Sequence, residues 1–267
     1  MASVTKDTWA AGKFYEPYVG RWSRLVAKEF LAGLRVRADA DWLDVGCGTG
    51  ALTETILQQA RPRSVKGVDQ SAGFVEYAEA QIADGRATFA VGDAQSLPVE
   101  SARYHAVVSG LMLNFVPNSA LAVSEMSRAA KPAGVIGVYV WDYAGKMELM
   151  RYFWDAAVAL DSAALDLDEG RRFPLCQPDR LEELFRQAGL REIQVRAIDV
   201  PTRFQDFDDY WTPFLGGQGP APGYAMSLGE ERCGLLRERL RSKLPVASDG
   251  TIHLVARAWA VCGRAPD

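Results

Sequence analysis

Trp42-Leu43-Asp44-Val45-Gly46-Cys47-Gly48-Thr49-Gly50 is the stretch that decides the fold. An apolar strand carries a carboxylate near its end and runs into three glycines on alternate positions. A helix-forming stretch from Ala51 to Gln59 follows at once. Strand, glycine-rich turn and helix in that order build a nucleotide-type pocket at the carboxyl edge of a parallel sheet. Glycine reaches the φ values of a tight turn and lets a ligand lie against bare backbone. The following helix presents free N–H groups there, which suits an anionic group. The spacing is G-x-G-x-G, with Ala51 where a dinucleotide fingerprint places its third glycine, and the Gly-Lys-Ser/Thr of a phosphate loop is absent. Asp44 is poorly placed for a pyrophosphate and well placed for an ammonium group.

Ser64 to Val68 reads as a second strand ending in Asp69, and a carboxylate there can accept from both hydroxyls of a ribose. Ala87 to Val91 is a third strand, followed by Gly92-Asp93-Ala94 and Leu97-Pro98. Taken alone, Asp93 also fits a turn or helix cap. Tyr104 to Ser109 is a fourth strand and Val135 to Val140 a near-continuous apolar fifth, as a strand covered on both faces should be.

Together these stretches resemble the class I S-adenosylmethionine-dependent methyltransferases, in the branch that resembles ubiquinone and menaquinone methyltransferases. The resemblance is carried by Asp44 to Gly50, Asp69, Asp93-Ala94 and the fifth strand, and covers residues 40–142. It implies an α/β, Rossmann-like seven-stranded sheet, mostly parallel with the last strand antiparallel, helices on both faces and helical or loop lid insertions. It implies S-adenosyl-L-methionine as cofactor. The expected cofactor residues are Asp44, Gly46, Cys47, Gly48 and Gly50 in the loop, then Asp69 and Gln70, then Asp93 and Ala94 at the adenine. Ser109 and Leu111 are expected on the sulfonium side. Tyr18 and Arg21 belong to an aromatic amino-terminal arm, with Tyr15 and Trp22, that is expected to fold over the cofactor.

Composition narrows the partners. The 267 residues carry a net charge of −4 and no long basic run, which argues against nucleic acid. The basic stretch from Arg232 to Lys243 is interleaved with Glu238 and apolar residues and reads as a solvated helix face. Cysteines 47, 176, 233 and 262 have neither C-x-x-C nor metal spacing, so a reduced, cytoplasmic protein with no metal site is expected. Cys47 reads as a small packed residue. Met1 to Trp9 is polar, unlike a secretory leader, and no apolar run has membrane-spanning length.

The remaining chain reads as the variable part of one domain spanning 1–267: a core at 35–142, with insertions at 143–190 and 203–250. No second core is apparent. Helices are expected at Ser119 to Lys131, Met147 to Leu160, Asp179 to Ala188 and Leu228 to Leu244, with strands at Glu192 to Val200 and Ile252 to Cys262. Phe204 to Tyr224 is an aromatic, Gly/Pro-rich insertion that reads as an apolar lid or as packing for a small core or dimer contact. Trp141-Asp142-Tyr143 falls at the carboxyl edge of the sheet, where it reads as a substrate-side trio or as a helix cap or loop cluster, and Asp142 is the candidate general base, with water or ionisation of the substrate itself as alternatives. His105 falls at the opposite edge and His253 reads as packed.

The expected activity is methyl transfer to a small, partly hydrophobic metabolite by a monomer or homodimer, with no nucleic acid partner and no membrane span. A nicotinamide oxidoreductase would share Gly46, Gly48 and Asp69 but leaves Asp44 and Asp93-Ala94 without a use. A non-catalytic S-adenosylmethionine-binding protein would share them all.

Overall fold

The computed structural model describes residues 16–217 and 219–267. Tyr15 and the stretch Met1 to Trp9 lie outside the described residues. Seven strands form one sheet in the order β3-β2-β1-β4-β5-β7-β6. They are β1 (Asp41–Val45), β2 (Ser64–Asp69), β3 (Ala87–Val91), β4 (Tyr104–Gly110), β5 (Ala130–Trp141), β6 (Arg191–Phe204) and β7 (Ile252–Arg264). β1 pairs in parallel with β2 and β4, β2 with β3, and β4 with β5, whereas β7 runs antiparallel to β5. The expected seven-stranded architecture is therefore present. The strand order reverses between β1 and β4, which opens a crevice at their carboxyl ends.

Eight helices of eight or more residues are described: α1 (Arg21–Gly33), α2 (Ala51–Gln59), α3 (Ala72–Gln81), α4 (Ser119–Ala129), α5 (Glu148–Leu160), α6 (Pro178–Gln187), α7 (Pro220–Ser227) and α8 (Glu230–Lys243). Their ends follow local chemistry. Ser71 caps α3 by accepting from Phe74 N, and Asn118 caps α4 by accepting from Leu121 N.

One boundary departs from the sequence reading. The helix expected to reach Lys131 stops at Ala129, and β5 starts at Ala130 rather than Val135. Tyr104 pairs with Ala130 and Ala106 with Val135, so β5 carries a bulge there. Ala133 sits at φ 56° within it. A bulge is where a strand tolerates a proline, here Pro132.

Contacts divide the chain into two compact units. The first comprises Ser23–Trp141, Leu175–Ile198 and Ala258–Asp267, and holds the paired core of the sheet. It includes α6, a helix that the sequence reading had grouped with the 143–190 insertion. Asp41, 1% exposed, anchors the amino edge of this unit. Arg63 grips its carboxylate, Ser64 Oγ donates at 2.8 Å and Arg103 at 3.4 Å. His105 Nδ1 accepts from Asp41 N at 3.0 Å, and Arg37 and Lys131 stand 2.7 and 3.1 Å from its Nε2. Both nitrogens are thus engaged at the edge away from the glycine turn, consistent with a structural His105.

The second unit comprises the described residues up to Trp22 with Asp142–Pro174 and Asp199–Arg257. It has its own aromatic core, to which Phe204, Tyr210 and Phe214 of the aromatic insertion contribute. Phe153 and Phe214 stack at 4.5 Å, Tyr210 lies 5.5 Å from Phe214, and Phe204 lies 5.3 Å from Tyr210. Phe153, Phe204, Tyr210 and Phe214 are all buried, and the Tyr210 hydroxyl donates to Leu149 O at 2.8 Å. Aromatic pairs of this kind add about 0.5–1.5 kcal/mol beyond their buried area. The basic face of α8 is spent locally: Arg232 pairs with Asp161, Arg237 with Asp208, and Arg241 lies over the Phe207 ring.

Candidate active site

The glycine turn leaves β1 and enters α2 within the first unit. Gly46, Gly48 and Gly50 all have positive φ, at 71°, 52° and 89°. Gly46 N and Cys47 N both donate to Val68 O, at 2.7 and 3.1 Å, which ties the turn to β2. The glycines differ in what they require. A Cβ on Gly46 would collide with the Met112 side chain, whereas one on Gly48 would meet nothing within 4 Å. Gly48 thus answers to backbone conformation alone, and its face is bare.

Two carboxylates flank the turn. Asp44 is wholly buried; Thr53 Oγ1 donates to its Oδ2 at 2.7 Å, and its Oδ1 has no partner. Burial pushes its pKa up to about 7, Thr53 opposing and the Asp69 charge adding to the rise. Asp69 accepts from Gly48 N on Oδ2 and from Ser71 N on Oδ1, each at 2.9 Å. Burial holds it above the usual carboxylate range, against those two bonds. Cys47 is buried and burial pushes its thiol well up, which suits a packed residue.

Beside the turn lies an open cleft. Its lining brings together Gly46, Asp69, Gln70, Asp93 and Ala94 from the expected set, and adds Met112, Phe115, Val116 and Pro117. Asp93 closes a turn by accepting from Gln95 N at 2.8 Å, and its carboxylate remains exposed. The added apolar residues come from the segment after β4. Their one signal in the sequence was an apolar run continuing past the strand end.

That segment is under local cost. Leu111 is a non-glycine residue at φ 60°, fixed by donating from its N to Tyr139 O at 2.8 Å. A Cβ on Gly110 would strike the Tyr139 hydroxyl. Ser109 Oγ and both amide atoms of Asn114 are buried without a partner among the described residues. Ser109 and Leu111 do not line the cleft, and neither do Asp44, Cys47, Gly48 or Gly50.

Three expected residues belong to the second unit. Tyr18 is 1% exposed; its hydroxyl is partnerless, and burial followed by the Glu169 charge raises its pKa well above normal. Arg21 donates to Asp209 at 2.9 Å and lies over the Trp22 and Phe204 rings at 4.4 and 4.9 Å. Asp142 closes a turn after β5, accepting from Gly145 N at 3.0 Å and Lys146 N at 2.9 Å. Among the described residues, no cluster of three or more His, Cys, Asp or Glu could hold a metal ion.

The donor set fits a cationic cofactor. A buried carboxylate oxygen without a donor calls for an ammonium, and bare Gly48 leaves room against the backbone. Fold and turn together define a Rossmann-like protein that binds a nucleotide-type cofactor at the carboxyl edge of its sheet. A family model described as a methyltransferase domain matches residues 43–138. The demethylmenaquinone methyltransferase of Roseiflexus castenholzii is 28% identical over 171 residues, 59% of this chain and 71% of the relative. The 2-methyl-6-phytyl-1,4-hydroquinone methyltransferase of Synechocystis is 28% identical over 237 residues, 80% of this chain and 73% of the relative. Among solved structures, the YcgJ protein of Bacillus subtilis aligns at TM-score 0.59 and 16% identity, covering 92% of this chain and 99% of that one. A Haemonchus contortus phosphoethanolamine N-methyltransferase in complex with S-adenosyl-L-methionine aligns at 0.57 and 17%, covering 92% and 53%. The match and the relatives support an S-adenosylmethionine-dependent methyltransferase whose methyltransferase domain spans residues 43–138. The nicotinamide and non-catalytic readings are not favoured. No helix among the described residues is long and apolar enough to cross a membrane.

Proposed function

We propose that this protein methylates a hydroquinone-type ring, using S-adenosylmethionine held by the glycine turn and its flanking carboxylates. The observation that carries the cofactor side is Asp44, whose buried, partnerless Oδ1 asks for a cationic donor. In this reading Asp44 takes the cofactor's ammonium, Asp69 its ribose hydroxyls, and Asp93 with Ala94 and Gln70 its adenine. Gly46, Gly48 and Gly50 give the backbone surface, with Cys47 packed beneath. Tyr18 and Arg21 serve the amino-terminal arm. The acceptor class is supported by the two quinol-ring methyltransferases named above.

When bound, the cofactor supplies an electrophilic methyl carbon whose sulfur departs as a neutral thioether. The chain's task is then positioning and exclusion of water, an effect worth about 7–11 kcal/mol when geometry is good. The acceptor must lose one proton for each methyl it receives. Asp142 is the proposed proton acceptor, since each of its oxygens keeps a lone pair beyond its single N–H bond. The four free cysteines support a reduced, cytoplasmic setting.

The test is calorimetric titration with S-adenosylmethionine, followed by turnover of 1,4-naphthohydroquinone. Binding with formation of methylated ring supports the reading. Binding without turnover of any quinol retains the class and removes the acceptor.

A further inference from the structure

We propose that Asn114 is the residue that recognises the methyl acceptor, through a neutral donor-and-acceptor amide that selects a hydroxyl-bearing, uncharged ring. The inference rests on the function proposed above and adds a residue to it. Asn114 lies in the single turn Leu113–Phe115 that follows β4; its neighbours Met112 and Phe115 line the cleft, and Asn114 itself is not part of that lining. Its Nδ2 and Oδ1 are both buried, and neither has a partner among the described residues. A buried amide that leaves a donor and an acceptor unused at once is rare in a folded protein and calls for an explanation.

Packing does not supply one. An apolar side chain of similar shape would remove both unmet hydrogen bonds, so stability alone argues against asparagine here. The neighbouring backbone carries a second cost, since Leu111 is held at φ 60° three residues earlier. Strained backbone and unmet polar groups in one short segment are the mark of a site whose missing partner is the ligand.

Chemistry separates cofactor from acceptor. The charged and polar ends of the cofactor already have assigned partners in Asp44, Asp69 and Asp93. The sulfonium and its methyl group offer neither a lone pair nor an O–H or N–H. An amide beside the cleft therefore addresses the other reactant. Its Oδ1 needs a hydrogen and its Nδ2 a lone pair, and ring oxygens supply both. Because the amide carries no charge, it gives an ammonium-bearing acceptor no counter-ion, which favours a phenolic ring over an amine.

The experiment compares wild type with Asn114→Leu and Asn114→Ala. Three quantities are read: affinity for S-adenosylhomocysteine, melting temperature, and affinity of the S-adenosylhomocysteine-loaded protein for 1,4-naphthohydroquinone under reducing conditions. The expected result is an unchanged cofactor affinity, a melting temperature unchanged or raised in Asn114→Leu, and quinol affinity lowered about tenfold or more. Undiminished quinol affinity in the variants overturns the role of Asn114 and leaves the proposed function standing. A lowered melting temperature in both variants also overturns it, since the amide is then structural. Failure of wild type to bind the quinol, with S-adenosylhomocysteine bound, overturns the acceptor class and this role with it.

Discussion

Thr53 Oγ1 donates to Asp44 Oδ2 at 2.7 Å, while Asp44 Oδ1 has no partner among the described residues. The bond orients the carboxyl group and leaves Oδ1 without a donor from the described residues. Asp44 therefore links protons to the cofactor. Its pKa is about 7 in the folded protein against 3.8 ordinarily. A raised carboxyl pKa adds no cost to folding below pH 3.8, and the cost grows as pH rises through about 7. At about 1.4 kcal/mol per unit, the shift corresponds to an order of about 4 kcal/mol above neutrality. Asp44→Asn should raise the melting temperature at about pH 8 and do little at about pH 4. In wild type, cofactor affinity should strengthen between about pH 6 and pH 8 as the carboxylate ionises, and the variant should lose that rise. Calorimetry across pH reads both.

Asp69 and Asp93 should separate on the same instrument. Asp69 accepts from Gly48 N and Ser71 N, so Asp69→Ala removes two bonds that shape the turn. It should cost about 1–3 kcal/mol of stability as well as cofactor affinity. Asp93 is exposed and closes only its own turn, so Asp93→Ala should lower affinity with less than about 1 kcal/mol of stability lost. Urea melts beside the titrations distinguish the two.

Gly46→Ala and Gly48→Ala form a second pair. Both place a side chain at positive φ, which costs about 1 kcal/mol or more. Only Gly46→Ala also drives a methyl into Met112. It should be the more destabilising, by about 1–3 kcal/mol for the overpacking, and should disturb the segment after β4. Chemical denaturation measures the difference.

Asp41 should matter to stability and not to catalysis. Its carboxyl is held below the usual range, chiefly by Arg63. A lowered pKa gives stability that is full above 3.8 and is lost as pH falls further. Asp41→Asn should cost about 1–3 kcal/mol at neutral pH and leave turnover per folded molecule unchanged. His105→Gln should likewise spare turnover. A fall in kcat at saturating cofactor in either variant would contradict this division of the sheet's two edges.

The glycine turn, Asp69 and the strand order were legible because each is a local pattern: alternate glycines after an apolar run, or a carboxylate ending a strand. The bulge in β5 was not, because Pro132 and Gly134 read equally well as a helix stop. The second aromatic core was legible only as one of several readings of the 204–224 insertion, for a different reason. Trp22, Phe153, Phe204 and Phe214 come from segments far apart in the chain, and only folding makes them neighbours. Asn114 carried no signal at all, since an unmet hydrogen bond is a property of surroundings and not of spacing.

The position of β7 has a consequence for how the protein is made. β6 leaves the ribosome first, yet its place in the sheet is beside β7, which in turn sits against β5. Residues 205–251 and then β7 itself must be synthesised before β6 can join. Until then β5 presents an open row of backbone donors and acceptors to any passing strand. Vectorial synthesis therefore leaves this sheet unsealed until β7 has emerged, and slow translation or a nascent-chain chaperone would act on assembly of its second half in that interval.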